Sequence, residues 1–282
     1  MTTIGTEFPM NCHRNSQLKS AMFSLEDIKA GIKGPIGREI LLYETVDSTN
    51  TLASELAGEG GATEGTVVVA DSQVRGRGRF GRSWVSPPGV NVYMSIVLRP
   101  EMEPKDATLI TIMAAVACTI ALRRVTELHI TIKWPNDLMV SGKKLGGILT
   151  ETRVASKRIE YAVTGIGINV NMDLDVLPDA VKEVATSIKI ETGRLFLRAE
   201  IIQEVLNEIN DWYNILKEKR HSEITSQWKQ LTSTLGRNVE IIVGSETLKG
   251  LAESITDEGM LVLRLPLGAS RVIQYGDLTL LR

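Results

Sequence analysis

Val67-Val68-Val69-Ala70-Asp71-Ser72-Gln73-Val74-Arg75-Gly76-Arg77-Gly78-Arg79-Phe80-Gly81-Arg82-Ser83-Trp84 runs from four apolar residues into alternating arginine and glycine. The first part reads as a buried strand. The second reads as a loop that holds anions: glycine lets a backbone approach a ligand closely, and arginine brings a permanent charge on a planar donor fork suited to carboxylates and phosphates. Asp71 set against Arg75, Arg77, Arg79 and Arg82 predicts a local charge of +3, although the whole chain carries −2. So local a field suits a small anionic ligand better than a polyanion.

A chain of 282 residues is long enough for one or two domains with a large core. The N-terminus does not join a basic region to an apolar stretch and a small-residue cleavage site, so no secretion signal is read and the expected compartment is the cytoplasm. Cys12 and Cys118 lie far apart in dissimilar contexts, which predicts neither a disulfide framework nor a metal site, and Cys118 reads as a small core residue. The histidines His13, His129 and His221 form no cluster. Leu109 to Leu122 is apolar throughout except for two threonines. It is shorter than the roughly 20 residues a bilayer crossing needs, so it reads as a buried core helix.

Residues 1 to about 22 show no periodicity and read as a loosely ordered extension, within an N-terminal segment 1–37 that holds one short helix. That helix is expected over Ser24 to Ile32, with Ser24 as its cap and Asp27 three positions on. A second helix is expected after Asp47-Ser48, with Leu52 and Leu56 on one face. Val67 to Ala70, Asn91 to Leu98, Ile130 to Trp134 and Ile159 to Thr164 read as strands of one sheet. Ile202, Leu206, Ile209, Tyr213 and Leu216 recur at the helical period across residues 197 to 219, and Ile224, Trp228 and Leu231 mark a shorter helix. Past residue 233 the pattern changes to four or five short strands with tight turns at Gly244-Ser245, Asp257-Glu258-Gly259 and Leu267-Gly268. This suggests a small β-barrel over 233–282, following a main domain over 38–232. The fold class is thus α/β (α+β), a mixed sheet flanked by helices.

Four further segments have the polar or glycine-rich character of the arginine loop. Asp47-Ser48-Thr49-Asn50 gathers hydroxyl, amide and carboxylate groups at a helix start. Lys133-Trp134-Pro135-Asn136-Asp137 puts a charged turn after a strand that Pro135 cannot continue. Lys143-Lys144-Leu145-Gly146-Gly147-Ile148-Leu149 sets lysine at the mouth of a glycine-rich strand. Gly165-Ile166-Gly167-Ile168-Asn169-Val170-Asn171 reads as a strand with room for a ligand against its backbone.

Together, and in this order, these five segments resemble the biotin protein ligases, with the resemblance extending over about residues 36 to 282 and including a C-terminal segment similar to that family's SH3-like domain. The resemblance implies that ATP activates biotin to biotinyl-5′-AMP, and that biotin then passes to a lysine of a biotin carboxyl carrier protein domain. Bringing one anion onto another needs fixed positive charge, and Arg77, Arg79 and Lys144 are the catalytic residues that match this need. By the family pattern Ser48, Thr49, Asn50, Gln73, Gly76, Arg77, Gly78, Arg79, Lys144, Gly146 and Gly147 bind biotin. Arg79, Arg82, Trp84, Lys133, Asn136, Asp137 and Asn169 bind ATP, and Asp137 helps to place the Mg²⁺ that ATP brings, with no dedicated metal cage. Phe80 and Arg75 depart from the family pattern, which commonly has a basic and a small residue there.

Fewer than forty residues precede Ile40, whereas bifunctional relatives carry a winged helix-turn-helix of some sixty. The expectation is a monofunctional enzyme without sequence-specific DNA binding or membrane attachment, forming a homodimer. A lipoate or octanoate ligase or transferase is the enzymatic alternative. A single-stranded nucleic-acid-binding module is the other, but the arginines are confined to one loop and not spread along an aromatic groove.

Overall fold

The computed structural model describes residues 23–281. The extension read over residues 1 to 22, including the bearing of its length on DNA binding, lies outside the described residues.

Seven strands form one sheet: β1 (Ile40–Val46), β2 (Val67–Gln73), β3 (Val92–Leu98), β4 (Thr131–Lys133), β5 (Asp137–Val140), β6 (Lys143–Ala155) and β7 (Arg158–Ile168). Their order is β1-β2-β3-β7-β6-β5-β4, with β1 and β2 parallel and every other pair antiparallel. Alternate residues point to opposite faces of a strand, and in β2 both faces are buried: Val67 and Val69 join the main core, while Val68 joins a second, smaller one. The four strands read from the sequence all lie in this sheet.

The helices are α1 (Leu25–Lys29), α2 (Thr49–Gly58), α3 (Ala107–Thr126), α4 (Asp179–Lys182), α5 (Ile188–Thr192), α6 (Arg198–Lys217) and α7 (His221–Leu231). Ser24 and Asp27 complete a reciprocal capping box on α1. On one face of the sheet α3, α6 and α7 share the main core, and on the other Ala53 and Ala57 of α2 pack against Val68, Val97 and Val163. The apolar run of α3 is long enough by composition to cross a bilayer, but about two-thirds of it is buried inside the protein, as a core helix requires. Cys118 is buried on this helix, and desolvation raises its thiol pKa well above the ordinary range.

The C-terminal strands β8 (Asn238–Val243), β9 (Glu246–Ile255), β10 (Leu261–Arg264), β11 (Ser270–Ile273) and β12 (Asp277–Leu280) form a separate antiparallel sheet, ordered β11-β10-β9-β8-β12. They do not extend the main sheet. Val239, Ile241, Leu261 and Leu263 nonetheless share its core. Trp134 anchors the junction: its backbone N–H donates to Thr234 Oγ1 at 2.9 Å and its indole N–H to Gly259 O at 3.2 Å.

One strand is shorter than expected. Residues 165–171 read as strand throughout, but β7 ends at Ile168. Its partner β3 begins only at Val92, so the Val170 N–H donates to the Asn91 side-chain Oδ1 instead of to a ladder carbonyl.

Candidate active site

The arginine loop folds as a small hairpin at the end of β2. Trp84 N–H donates to Gly76 O at 2.8 Å, Gly78 N–H donates to Arg82 O at 2.7 Å, and Arg77 pairs with Ser83 in an antiparallel bridge. Its tip, Arg79–Gly81, is one tight turn with Phe80 at φ 56°. Glycine is required at 76 because a Cβ there would lie 2.3 Å from Trp84 O.

The local charge of +3 expected of this loop is not what a ligand meets. Asp71 is drawn beneath the loop, where its Oδ1 accepts from Arg198 Nη1 at 2.7 Å. Arg75 pairs with Asp47 at 2.6 Å, Arg77 with Glu151 at 2.6 Å, and Arg82 with Asp277 of β12. Most of these carboxylates are remote in sequence, so a local count misses them. Arg79 differs, donating to the neutral acceptors Asn136 Oδ1 at 3.3 Å and Gly276 O at 3.2 Å. Burial pulls its guanidinium pKa below the ordinary arginine value, opposed by the carboxylates of Asp137 and Asp277. The hydrogen bond from Arg82 holds the Asp277 carboxyl below its ordinary value.

Under the hairpin opens a cavity of about 510 Å³. One part of its floor is polar. Ser48 precedes α2 but makes no side-chain cap bond; although the residue is buried, its hydroxyl lines the cavity and is not spent on the helix. Thr49 N–H donates to Gln73 Oε1 at 2.9 Å, and Gln73 Nε2 donates to Ser86 Oγ at 2.9 Å. Asn50 Nδ2 donates to Leu149 O at 3.1 Å and to Glu151 Oε2 at 3.0 Å. The bare backbone of β7 makes room for this amide, since a Cβ on Gly165 would fall 2.0 Å from Asn50 Oδ1.

Toward the C-terminal sheet the cavity becomes charged. Asp137 stands between two lysines, with Lys144 Nζ at 2.5 Å and Lys133 Nζ at 3.3 Å. Lys144 also lies over the ring of Trp84, 5.4 Å from its centroid. The indole of Trp84 rests on Gly167, where a Cβ would come within 2.8 Å of it, and its Nε1–H has no partner. Trp84 therefore forms a wall between the polar floor and the charged end. Asn136 Nδ2 donates to Ile148 O at 2.8 Å, and Asn169 Nδ2 to Thr186 O at 2.9 Å. Leu177, Val181, Val184 and Ala185 supply an apolar side. The chain through 184–186 is tied to the site: Lys144 N–H donates to Val184 O at 2.7 Å and Thr186 N–H to Lys144 O at 2.9 Å.

Of the residues singled out from the sequence, Ser48, Thr49, Asn50, Gln73, Arg77, Gly78, Arg79, Arg82, Trp84, Lys133, Asn136, Asp137, Lys144, Gly147 and Asn169 line this one cavity. Gly76 and Gly146 do not. Gly76 lets the hairpin cross itself, and Gly146 lets β6 and β7 approach, with Gly167 O 2.8 Å from where its Cβ would be. Sequence reasoning missed Glu151, Ser95 and the C-terminal Asp277, Leu278 and Thr279, the last three of which line the cavity. Glu151 lies two residues past Leu149 on the same strand β6, between Thr150 and Thr152, and nothing around it in the sequence marks it. Nothing local marks Asp277.

Two family profiles match the chain: the Biotin/lipoate A/B protein ligase family over residues 42–169 and the Biotin protein ligase C terminal domain over residues 234–279. The bifunctional ligase/repressor BirA of Bacillus subtilis is 35% identical over 255 residues, covering 90% of this chain and 78% of that one. The biotin–[acetyl-CoA-carboxylase] ligase of Paracoccus denitrificans is 34% identical over 229 residues, covering 79% and 92% respectively. Among solved structures, the biotin protein ligase from Aquifex aeolicus in complex with biotin and ATP is similar with a TM-score of 0.73 and 29% identity, over 87% of this chain and 99% of that one.

Proposed function

The chain belongs to the biotin protein ligase family, and from that premise we propose that the cavity under the arginine hairpin is where ATP activates biotin and where biotin passes to a lysine of a carrier protein. The enzyme is an ATP-dependent biotin–carrier-protein ligase. The observation that carries the site assignment is the convergence on one cavity of a hydroxyl and amide floor, an indole wall and the cations of Lys144 and Arg79.

In the first half-reaction biotin's carboxylate attacks the α-phosphorus of ATP, giving biotinyl-5′-AMP and diphosphate. Two unit charges 4 Å apart repel by about 4 kcal/mol at an effective dielectric of about 20, so the approach needs compensation in place beforehand. Lys144 offers it where floor and charged end meet. It can leave Asp137 for the incoming anion without stranding that carboxylate, because Lys133 remains on Asp137 at 3.3 Å. Arg79, bound to neutral acceptors, takes a phosphate oxygen at little cost in broken ion pairs. On the floor, Ser48, Thr49, Asn50 and Gln73 satisfy the ureido ring, whose carbonyl and N–H groups need both donors and acceptors once buried. In the second half-reaction the carrier's amine attacks the anhydride carbonyl and AMP leaves, with Lys144 polarising the oxygen that gains charge.

Magnesium enters with ATP in this reading and neutralises part of the triphosphate charge. Among the described residues no three metal-binding side chains converge. Of the two carboxylates lining the cavity, Asp277 is paired with Arg82, and Asp137 is the one that would face an ion held on the phosphates. The same reading divides the chain into a catalytic unit over 38–232 and a C-terminal unit over 233–282, and places the reaction in the cytoplasm. It makes the enzyme a homodimer that does not read DNA sequence: the outer edge of β1 is left open by the sheet, and three of the hairpin arginines are already engaged by carboxylates.

The decisive experiment is the mass of a purified carrier domain incubated with the enzyme. Addition of one biotinyl group that requires both biotin and magnesium-ATP is expected. Transfer of a lipoyl or octanoyl group in preference to biotin would overturn the assignment.

A further inference from the structure

Behind the residues assigned to the ureido ring lie two polar side chains that do not line the cavity, Ser95 on β3 and Glu151 on β6. Ser95 is fully buried, and Glu151 is a third exposed. They settle the direction of every hydrogen bond around Asn50. Its Nδ2 faces Leu149 O at 3.1 Å and Glu151 Oε2 at 3.0 Å. A carbonyl and a carboxylate paired with Arg77 can only accept, so the amide cannot be reversed. Its Oδ1 must then accept, and it does so from the Ser95 hydroxyl at 2.6 Å.

A serine hydroxyl has one proton, and Ser95 Oγ is the donor aimed at both Asn50 Oδ1 and Thr49 Oγ1, the latter at 2.8 Å, so it shares that proton between them. With the Ser95 hydroxyl donating to it, Thr49 Oγ1 sends its own proton to Gln73 Oε1 at 3.2 Å, away from the cavity. What Thr49 turns toward a ligand is an oxygen lone pair. Gln73 Oε1 is engaged by the Thr49 N–H, and one proton of Gln73 Nε2 is engaged by Ser86, so Gln73 offers the cavity its second N–H.

We propose that Ser95 and Glu151 are positioning residues that fix this proton order and so select the ligand. Together they set Thr49 as an acceptor for a ring N–H, beside a Gln73 amide that the Thr49 N–H and Ser86 hold as a donor to a ring carbonyl. The chemistry selected is a cyclic urea, in preference to rings of the same shape that lack the N–H. The inference rests on the cavity being the biotin site.

The test is calorimetric titration of the full chain with biotin and with its cyclic carbamate analogue, in which one ureido N–H is replaced by oxygen, each regioisomer separately. The quantity read is the affinity ratio of biotin to the weaker-binding isomer. Ser95→Ala frees the Thr49 hydroxyl to turn and donate into the cavity, so the ratio falls about tenfold, the worth of one ordinary hydrogen bond. Ser95→Thr keeps the donor and keeps the ratio. Glu151→Gln has the same shape but must present an N–H to either Asn50 or Arg77, so it lowers the ratio too; being nearer the surface, it carries the test if Ser95→Ala does not fold. KM for ATP stays at the parent value in all three. Equal weakening of both ligands in Ser95→Ala and Glu151→Gln, with the ratio unchanged, would show a merely structural role and overturn the proposal alone. Failure of the unmodified chain to bind biotin would overturn the cavity assignment and the proposal with it.

Discussion

Replacing Lys144 with alanine separates position from charge, because Lys143 beside it is exposed and serves as the control. Lys144 Nζ lies 2.5 Å from Asp137 and over Trp84, whereas Lys143 sits at the β5–β6 turn opposite Val140. A unit charge about 4 Å from a developing charge is worth about 4 kcal/mol at an effective dielectric near 20. The Lys144 side chain is 32% exposed, so solvent screens part of this. About 3 kcal/mol remains, which at about 1.4 kcal/mol per tenfold is a loss of roughly a hundredfold or more. The fold should survive, because the bonds of Lys144 to Val184 and Thr186 are backbone bonds and Asp137 keeps Lys133. Biotin-dependent diphosphate release reads the first half-reaction. Transfer to the carrier from chemically made biotinyl-AMP reads the second. Lys144→Ala should lose both and Lys143→Ala neither. Equal losses in the two variants, or parent-rate transfer from the preformed adenylate by Lys144→Ala, would refute the role assigned to Lys144.

Arg79→Ala should slow diphosphate release ten- to a hundredfold, given roughly 1.5–3 kcal/mol for a charge-assisted hydrogen bond; a near-normal rate would remove the hairpin tip from the reaction. Gly167→Ala puts a methyl 2.8 Å from the Trp84 indole and must displace it. Biotin affinity should fall at least tenfold and tryptophan emission should shift, and unchanged values of both would mean that Trp84 is no wall. The Asp277 carboxyl titrates below its unfolded value because Arg82 bonds it, so its contribution to holding the C-terminal sheet is complete above about pH 4 and fades as pH falls through the lower, folded value. The acid limb of thermal stability should therefore flatten in Asp277→Asn, and identical limbs in the two proteins would count against a stabilising role for the Arg82–Asp277 pair.

Much of the architecture is legible in single stretches of sequence. The apolar run of β2, the helical period of α6, and the Ser24–Asp27 cap each depend on residues a few positions apart, and local geometry makes such patterns decisive. The five polar and glycine-rich segments were recognisable for the same reason. Each is a strand end, a turn or a helix start whose residue types are needed on the spot, and all five line the cavity, the last with the bare backbone of β7 and with Asn169 just past its end. Edge strands β1 and β12 carry weaker patterns, since one side of each is open and burial does not enforce alternation.

Tertiary structure alone decided what the hairpin's charge amounts to. Glu151 and Asp277 neutralise arginines that look unopposed in the sequence, and Asp71, which looks like their counter-ion, belongs to Arg198. It also decided that Ser95 and Glu151 stand behind the cavity floor, and that Trp84 is a partition bearing Lys144 on its face. Ion pairs and hydrogen bonds act over a few ångströms, and a sequence records no distance between residues that only the folded sheet brings side by side.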